Sequence, residues 1–176
     1  LQGVIFNNWT QIPELPKEAK LLGIGLDFGF TNDPTAAIEV YQHDGRYILH
    51  ERIYQTGLLN SDIAKLLQPH TATVIADSAD PKSIEELRRA GVRIKGATKG
   101  TDSIRFGIQL MQEKHWYVTA ESLNFIKELR GYVWETDKNG DPTGNPIGKL
   151  NHGIDGWRYW CLENLMHPFS GKYSII

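Results

Sequence analysis

Cysteine and long apolar runs are almost missing from this 176-residue chain, and each absence excludes a class of protein. The single Cys161 excludes an internal disulfide and a cysteine-based zinc site, and it fits a reducing compartment. No apolar run approaches the roughly 20 residues of a membrane-spanning helix, and no signal peptide is recognised. Because the net charge is only -2, the overall charge does not indicate nucleic-acid binding.

The rest of the composition is that of a soluble globular domain, with 40% hydrophobic and 23% charged residues. The length predicts one domain with a substantial core. Because the chain starts with leucine, we expect that it has lost its native start or was excised from a longer polypeptide. Residues 1–20 show no sustained periodicity, so we expect a lead-in packed on the domain or a connector from a missing upstream domain, with the main domain spanning residues 21–176.

The segment LLGIGLDFGFTNDPTAAIEV, residues 21–40, places an acidic residue in an apolar strand. Alternation puts the apolar side chains at positions 22, 24, 26 and 28 on one face, and Asp27 on the other face with three glycines. A buried, ionised carboxylate is costly unless it is paired, hydrogen-bonded or bound to a metal. Asp27 therefore either has such a partner or caps the turn over residues 29–32.

The hydrophobic pattern predicts an α/β fold, a mixed sheet with helices on its faces. Three strands joined by tight turns form an antiparallel meander, with Asp44-Gly45 as a hairpin turn. The predicted strands are 21–29, 36–41, 46–53, 73–77 and 92–95. The predicted helices are 58–68, 81–90, 101–112, 119–129 with Thr119 as its N-cap, and 153–166. Residues 131–150 are expected to form a long hairpin or a flexible loop.

Three acidic residues that are far apart in sequence each lie at the end of an apolar element. Asp27 ends the first predicted strand, Asp77 ends the fourth, and Asp155 lies near the start of the last helix. If they converge, their charges repel one another, and a hard divalent cation that prefers carboxylate oxygens would relieve the repulsion. This pattern favours two-metal phosphodiester hydrolysis, with Asp27 bridging both ions and the other two acids each completing one. The alternative is that each acid only shapes a turn.

Three polar residues near these acids have two interpretations each. His152 either carries a proton or orients an acid in the site, or it caps the start of the last helix. Asp33 either leans back toward Asp27 or belongs to a turn, and Asp80 is either a ligand or the N-cap of the following helix.

Basic residues cluster between positions 82 and 105, where seven lysines and arginines minus three acidic residues give a local charge of +4. Such a patch can follow a phosphate backbone. The segment KGATKGTDSI has glycines that would allow close approach to DNA, so Lys95, Lys99 and Arg105 are the candidate DNA contacts. For Arg88 and Arg89 the alternative is an ordinary solvated helix face.

Three blocks of this sequence resemble the C-terminal nuclease domain of the large terminase subunit of tailed bacteriophages: GLDFGFTNDPTAAI, then IADSADPKSIEELRRAGVRIKGATKGTDSIRFGI, then NHGIDGWRYW. The resemblance implies a ribonuclease-H-like fold related to the RuvC resolvases, with residues 131–150 as a regulatory β-hairpin. It implies a metal-dependent endonuclease that cuts concatemeric viral double-stranded DNA during genome packaging. The resemblance implies that Asp27, Asp77 and Asp155 bind two Mg²⁺ or Mn²⁺ ions. It also implies that His152 lies near the site.

The resemblance also implies partners for the chain. These are the N-terminal packaging ATPase domain of the same polypeptide, the small terminase subunit and the portal protein, in the host cell cytoplasm and without a membrane. Because no G-x-x-x-x-G-K-[ST] motif occurs here, we expect this chain to cut DNA but not to translocate it. The family usually has alanine after the third acid, and Gly156 in its place is expected to loosen the helix start.

Three other functions compete with this interpretation. A RuvC-like junction resolvase would be a constitutive dimer that prefers branched DNA. A non-catalytic DNA-binding domain on the same fold is disfavoured by three intact acids. An actin-like or sugar-kinase-like phosphotransferase, which the DFGFT turn resembles, would need two such subdomains and about twice this length.

Overall fold

The computed structural model describes residues 3–166, which contain nine strands and five helices. The strands are β1 (Trp9–Ile12), β2 (Lys20–Asp27), β3 (Thr35–His43), β4 (Arg46–Gln55), β5 (Val74–Ala76), β6 (Ile94–Gly96), β7 (Trp116–Thr119), β8 (Trp134–Thr136) and β9 (Pro142–Pro146). The helices are α1 (Asn60–Leu66), α2 (Pro81–Arg89), α3 (Ser103–Gln112), α4 (Leu123–Gly131) and α5 (His152–Asn164). None of these helices combines the length and the apolarity needed to cross a bilayer.

The predicted meander forms the centre of the main sheet. β2, β3 and β4 pair antiparallel, and Asp44 and Gly45 turn between β3 and β4 with φ of 49° and 73°, as a tight hairpin requires. β5 and β6 extend the sheet beyond β2, while β7 and β1 extend it beyond β4, and each added strand is parallel to its neighbour. The order β1-β7-β4-β3-β2-β5-β6 confirms the predicted mixed sheet.

Helices cover both faces of this sheet, and each face has its own hydrophobic cluster. α3, α4 and α5 pack over one face, where the larger cluster surrounds Trp116 and Trp157. α1 and α2 contact each other over the opposite face, where Ile63 and Leu87 are buried with side chains from β2 and β5. The helices on both faces agree with the fold class expected from the sequence.

The segment 131–150 contains a separate two-stranded sheet formed by β8 and β9, which confirms the expected hairpin. Its turn is organised by Asp137, whose Oδ1 accepts hydrogen bonds from the backbone N–H groups of Asn139 at 2.8 Å and Asp141 at 3.0 Å. The hairpin therefore has an ordered turn.

The predicted helix 119–129 is wrong at its start. Trp116–Thr119 is strand β7, and α4 begins at Leu123, after Ser122. Thr119 ends the strand opposite Ile12 of β1 and does not cap the helix. A four-residue strand carries too short an alternation to be recognised locally, so its neighbours in the sheet determine it.

Strand β1 lies inside residues 1–20, where the sequence pattern predicted no strand. It forms the edge of the main sheet beside β7. Ile5 and Phe6, which precede it, are buried in the larger cluster.

The alternation predicted for β2 is interrupted by an irregularity. The pairing register with β3 shifts between Leu21 and Gly23. Leu22 consequently packs against the cluster under α5, whereas Ile24 and Leu26 belong to the cluster on the opposite face. The expectation that Leu22 shares a face with these two residues was therefore wrong.

Candidate functional site

Two of the predicted acids lie side by side at the carboxyl ends of parallel strands. Leu26 of β2 is paired in parallel register with Ala76 of β5, so Asp27 and Asp77 follow at the same edge of the sheet. The side chain of Asp27 is 14% exposed and that of Asp77 is 28% exposed. In α/β sheets, ligands commonly bind at the carboxyl ends of strands.

Helix α5 brings the third acid to the same place because glycines let it lie directly on β2. A Cβ atom at Gly25 would lie 1.8 Å from the carbonyl oxygen of Gly156, and a Cβ at Gly156 would lie 2.8 Å from the carbonyl oxygen of Gly25. Asp155 precedes Gly156 in the first turn of α5 and is close enough to Asp27 for the two charges to interact. The glycines of β2 thus admit a helix. Gly156 does not loosen the helix start, because it is packed tightly against the strand.

Asp27 is paired with His152 at the start of α5. His152 Nδ1 lies 3.2 Å from Asp27 Oδ2, and its Nε2 lies 3.5 Å from Asp33 Oδ1. Burial raises the pKa of Asp27, the hydrogen bond and charge of His152 oppose that rise, and the charge of Asp77 adds to it. The hydrogen bond to Asp27 raises the pKa of His152, against the effect of its burial. This arrangement agrees with His152 as a residue that orients an acid.

Asp77 is held by three donors. Its Oδ1 accepts hydrogen bonds from Lys99 Nζ and, at 2.9 Å, from the backbone N–H of Ala79, while its Oδ2 accepts one from the Tyr159 hydroxyl at 3.3 Å. Burial alone would raise the pKa of Asp77, but these hydrogen bonds and the Lys99 charge outweigh it and lower the pKa.

Asp155 forms an ion pair with Arg158 one turn later in α5. Arg158 Nη2 donates to Asp155 Oδ1 at 3.0 Å, and the Arg158 side chain is only 5% exposed. Burial raises the pKa of Asp155 to about 7, although Arg158 opposes the rise, and the negative charges of Asp27 and Glu128 increase it further. Burial therefore disfavours the ionised form of Asp155 even though Arg158 pairs with it.

The donor set of the three acids fits hard divalent cations, which prefer carboxylate oxygens. Across residues 3–166, no three His, Cys, Asp or Glu side chains form a ready-made metal-binding cluster. The acids instead contact cationic or proton-donating side chains: His152, Lys99 and Arg158. A divalent cation would compete with these side chains for the carboxylate oxygens. Its charge would also favour the ionised forms of Asp27 and Asp155, whose pKa values are raised first by burial and further by neighbouring acids.

The two other acids considered from the sequence have different surroundings. Asp33 has a side chain that is 70% exposed, and it contacts His152 of the candidate site. Asp80 is the N-cap of α2, since its Oδ1 accepts a hydrogen bond from the backbone N–H of Ser83 at 3.1 Å.

The three candidate DNA contacts are all engaged within the chain. Lys95 forms an ion pair of 2.8 Å with Glu163, and Lys99 forms one with Asp77. Arg105 donates from Nη2 to Asn145 Oδ1 at 2.9 Å and so links α3 to the hairpin.

Arg88 and Arg89 both extend from an accessible side of α2, and Arg88 also donates to the backbone carbonyl of Ile94 at 3.1 Å. Both arginines pair with Glu85 on the same exposed side of α2, one turn away.

Two open cavities flank the segment 148–151, next to the acids. One has a volume of about 880 Å³ and is lined by Asp33, Tyr54, Lys149 and His152, among others. The other has a volume of about 430 Å³, and Arg105 and Asp155 are among its lining residues. The second cavity therefore reaches Asp155, whereas the first reaches His152 and Asp33.

Sequence reasoning missed Glu128 and Arg158, two buried charged residues of this region. The spacing of Asp155 and Arg158, three residues apart on one helix, was a signal for their ion pair. Glu128 offered no such signal, because its burial depends on the packing of α5 against α4.

Comparisons with known proteins agree on one family. A family model for the terminase RNase H-like domain matches residues 27–161. The chain is 35% identical over 145 residues to the large terminase subunit of Bacillus phage SPP1, and 30% identical over 122 residues to the PBSX phage terminase large subunit of Bacillus subtilis strain 168. These alignments cover 77% and 66% of this chain but 34% and 28% of the relatives, so the chain spans about a third of the length of each.

Solved structures agree with this result. The large-terminase nuclease domain of bacteriophage SPP1 with bound manganese is 30% identical, with a TM-score of 0.75 over 88% of this chain and 95% of that one. The large-terminase nuclease of thermophilic phage G20c with bound magnesium is 16% identical, with a TM-score of 0.66 over 92% and 97% of the two chains, and it supports the fold alone. The family model and the shared ribonuclease-H-like fold confirm the resemblance carried by the three sequence blocks, and the chain belongs to the terminase RNase H-like domain family.

Proposed function

We propose that this chain is a divalent-metal-dependent endodeoxyribonuclease that cleaves concatemeric viral double-stranded DNA during genome packaging. The observation that carries the proposal is the meeting of carboxylates from β2, from the end of β5 and from α5 at one edge of the sheet, where Asp27 also pairs with His152. The bound manganese in the SPP1 nuclease domain, which is 30% identical to this chain, supports a divalent metal here.

In this proposal Asp27, Asp77 and Asp155 would hold two Mg²⁺ or Mn²⁺ ions, and Asp27 would contribute to both. When bound, such ions activate a water molecule and stabilise the leaving oxygen of the phosphodiester. His152 orients Asp27 through its 3.2 Å contact and can hold a proton at Nε2, the ring nitrogen that faces the exposed Asp33.

The basic side chains of Lys99 and Arg158 have a role in the same proposal. Lys99 and Arg158 neutralise Asp77 and Asp155 in the absence of metal, which limits the repulsion among the acids. Lys99 lies in the same basic segment as Lys95 and Arg105, and these three residues are the proposed contacts to the DNA backbone.

The full polypeptide is proposed to carry a packaging ATPase domain upstream of this one, and to work with the small terminase subunit and the portal protein in the host cytoplasm. The support is that the relatives are large terminase subunits about three times as long as the matched region.

A plasmid-nicking assay tests the proposed activity. The wild-type chain should convert supercoiled plasmid to nicked and linear forms with Mn²⁺ or Mg²⁺, with little sequence preference, and EDTA should abolish the reaction. Asp27→Asn should abolish it as well, because the substitution removes the bridging carboxylate. Asp44→Asn is the matched control, since Asp44 lies in the β3–β4 turn at the opposite end of the sheet and is exposed.

The same assay separates the competing functions. Cutting that persists in Asp27→Asn would reject this site. DNA binding by the wild-type chain without cutting under either metal would favour the non-catalytic domain. Cutting restricted to four-way junctions by a stable dimer would favour a RuvC-like resolvase.

A further inference from the structure

We propose that Glu128 is a positioning residue of this site: its carboxylate caps the amino terminus of α5 from a neighbouring helix and so holds His152 and Asp155 in place against Asp27. The inference rests on the proposed function for its catalytic consequence. The structural part stands on the contacts of Glu128 alone.

The Glu128 side chain makes three hydrogen bonds in a buried position. Its Oε1 accepts from the backbone N–H of Ile154 at 3.0 Å, and its Oε2 accepts from the backbone N–H of Gly153 at 3.1 Å. The Tyr54 hydroxyl also donates to Oε2, at 2.5 Å. Only 1% of the residue is exposed, so water cannot replace these contacts.

These two N–H groups are among the four that a helix cannot satisfy by itself. They belong to the second and third residues of α5, and an N-cap side chain normally accepts from those positions. Asn151 stands at the N-cap of α5, but its side chain makes no capping hydrogen bond. Glu128 therefore supplies the cap from α4, and its negative charge faces the positive end of the helix dipole.

The Glu128 cap lies next to two residues of the candidate site. His152 immediately precedes the two capped amides, and Asp155 immediately follows them. Both therefore lie in the turn that Glu128 holds. Gly153 permits the approach of α4, since a Cβ there would lie 2.8 Å from the ring of Phe125 and 3.3 Å from Glu128 Oε1.

The chain contains a second cap of the same kind, which provides a matched control. Glu51 Oε1 accepts from the backbone N–H of Phe125 in the first turn of α4 at 2.7 Å, and its Oε2 accepts from the Asn124 side chain at 2.9 Å. The first turn of α4 carries none of the proposed metal ligands.

The test compares Glu128→Asp with Glu51→Asp, because both substitutions keep the charge and withdraw the carboxylate by one methylene. The readouts are Mn²⁺ affinity by electron paramagnetic resonance, exchange of the Gly153 and Ile154 amide protons, and kcat and KM for plasmid cleavage. For Glu128→Asp we expect Mn²⁺ affinity and kcat to fall about 10- to 100-fold, with faster exchange of both amides and little change in KM. For Glu51→Asp we expect the Mn²⁺ affinity and kcat to stay within about threefold of wild type.

Wild-type Mn²⁺ affinity and amide exchange in Glu128→Asp would overturn the proposal. If Glu128→Asp does not fold, Tyr54→Phe decides the question, because it removes the hydroxyl that holds Oε2. Faster amide exchange with a measurable loss of Mn²⁺ affinity then supports the proposal, and wild-type values overturn it. If the wild-type chain cuts no DNA while its Mn²⁺ affinity still depends on Glu128, the proposed function fails and the positioning role stands.

Discussion

At the scale of single residues, the candidate site is a set of carboxylates that each have a different partner. His152 pairs with Asp27, Lys99 with Asp77, and Arg158 with Asp155. The partners differ in what they can do, because the Arg158 guanidinium stays charged, whereas the imidazole of His152 can gain or lose a proton near neutral pH.

Replacing His152 by alanine should lower the cleavage rate by about 100- to 10,000-fold, the range for loss of a residue that moves a proton in the reaction. The physical reason is the loss of the only side chain that bridges Asp27 and Asp33 in residues 3–166. The measurement is kcat for plasmid cleavage with Mn²⁺. His43→Ala, at the opposite end of β3, should keep the wild-type rate, and a His152→Ala rate within about tenfold of wild type would contradict the role.

Glu163 should contribute acid-sensitive stability. Burial would raise its pKa, but hydrogen bonds from Lys95 and Thr98 outweigh burial and lower the pKa below 4.5. The folded state then binds fewer protons than the unfolded state, so this contribution is present above pH 4.5 and is lost as the pH falls through the lowered pKa. Urea unfolding between roughly pH 3 and 6 should show a flatter acid slope for Glu163→Gln than for wild type. Identical slopes would exclude the contribution.

At the scale of elements, the crossing of α5 over β2 assembles the site. Gly25 and Gly156 allow the helix backbone to rest on the strand backbone, and Gly23 lies under Trp160 of the same helix. The crossing sets the distance between Asp155 and Asp27, since both acids belong to the crossing elements.

Gly25→Ala should destabilise the protein by about 3 kcal/mol or more and reduce cleavage, because its Cβ would meet the Gly156 carbonyl oxygen at 1.8 Å and displace α5. Thermal unfolding and plasmid cleavage together measure the effect. Gly148→Ala is the control, as its Cβ would meet nothing within 4 Å, and it should change stability by less than about 0.5 kcal/mol. Wild-type stability in Gly25→Ala would show that the crossing tolerates a side chain.

At the scale of the whole molecule, residues 3–12 belong to the folded unit. β1 pairs with β7 at the edge of the sheet, and Phe6 stacks on Tyr132 with ring centroids 5.7 Å apart and contacts Trp157 at 5.0 Å. These contacts join the start of the chain to α5, which carries the site. The segment therefore contributes to the core that supports α5.

A fragment of residues 21–176 should consequently be much less stable than the full chain, and Phe6→Ala alone should cost about 3–5 kcal/mol. Far-UV circular dichroism during thermal unfolding measures both. Gln11→Ala, at an exposed position of β1, should unfold like the wild type. If the fragment unfolds at the wild-type temperature, residues 1–20 are only a connector.

The sequence by itself determined the central meander, the Asp44-Gly45 turn, the family and the candidate acids. These depend on alternation within a strand, on turn chemistry and on motif spacing, which are all local. Their proposed roles as ligands stay predictions.

Only the tertiary structure decided which residues support the acids. β1 and β7 are too short to be recognised without their neighbours, and the partners of Lys95 and Arg105 lie 68 and 40 residues away along the chain. Glu128 finds its role only when α4 packs against α5. Contacts between distant segments form when the chain buries its apolar surface, and no local pattern records which polar groups meet as a result.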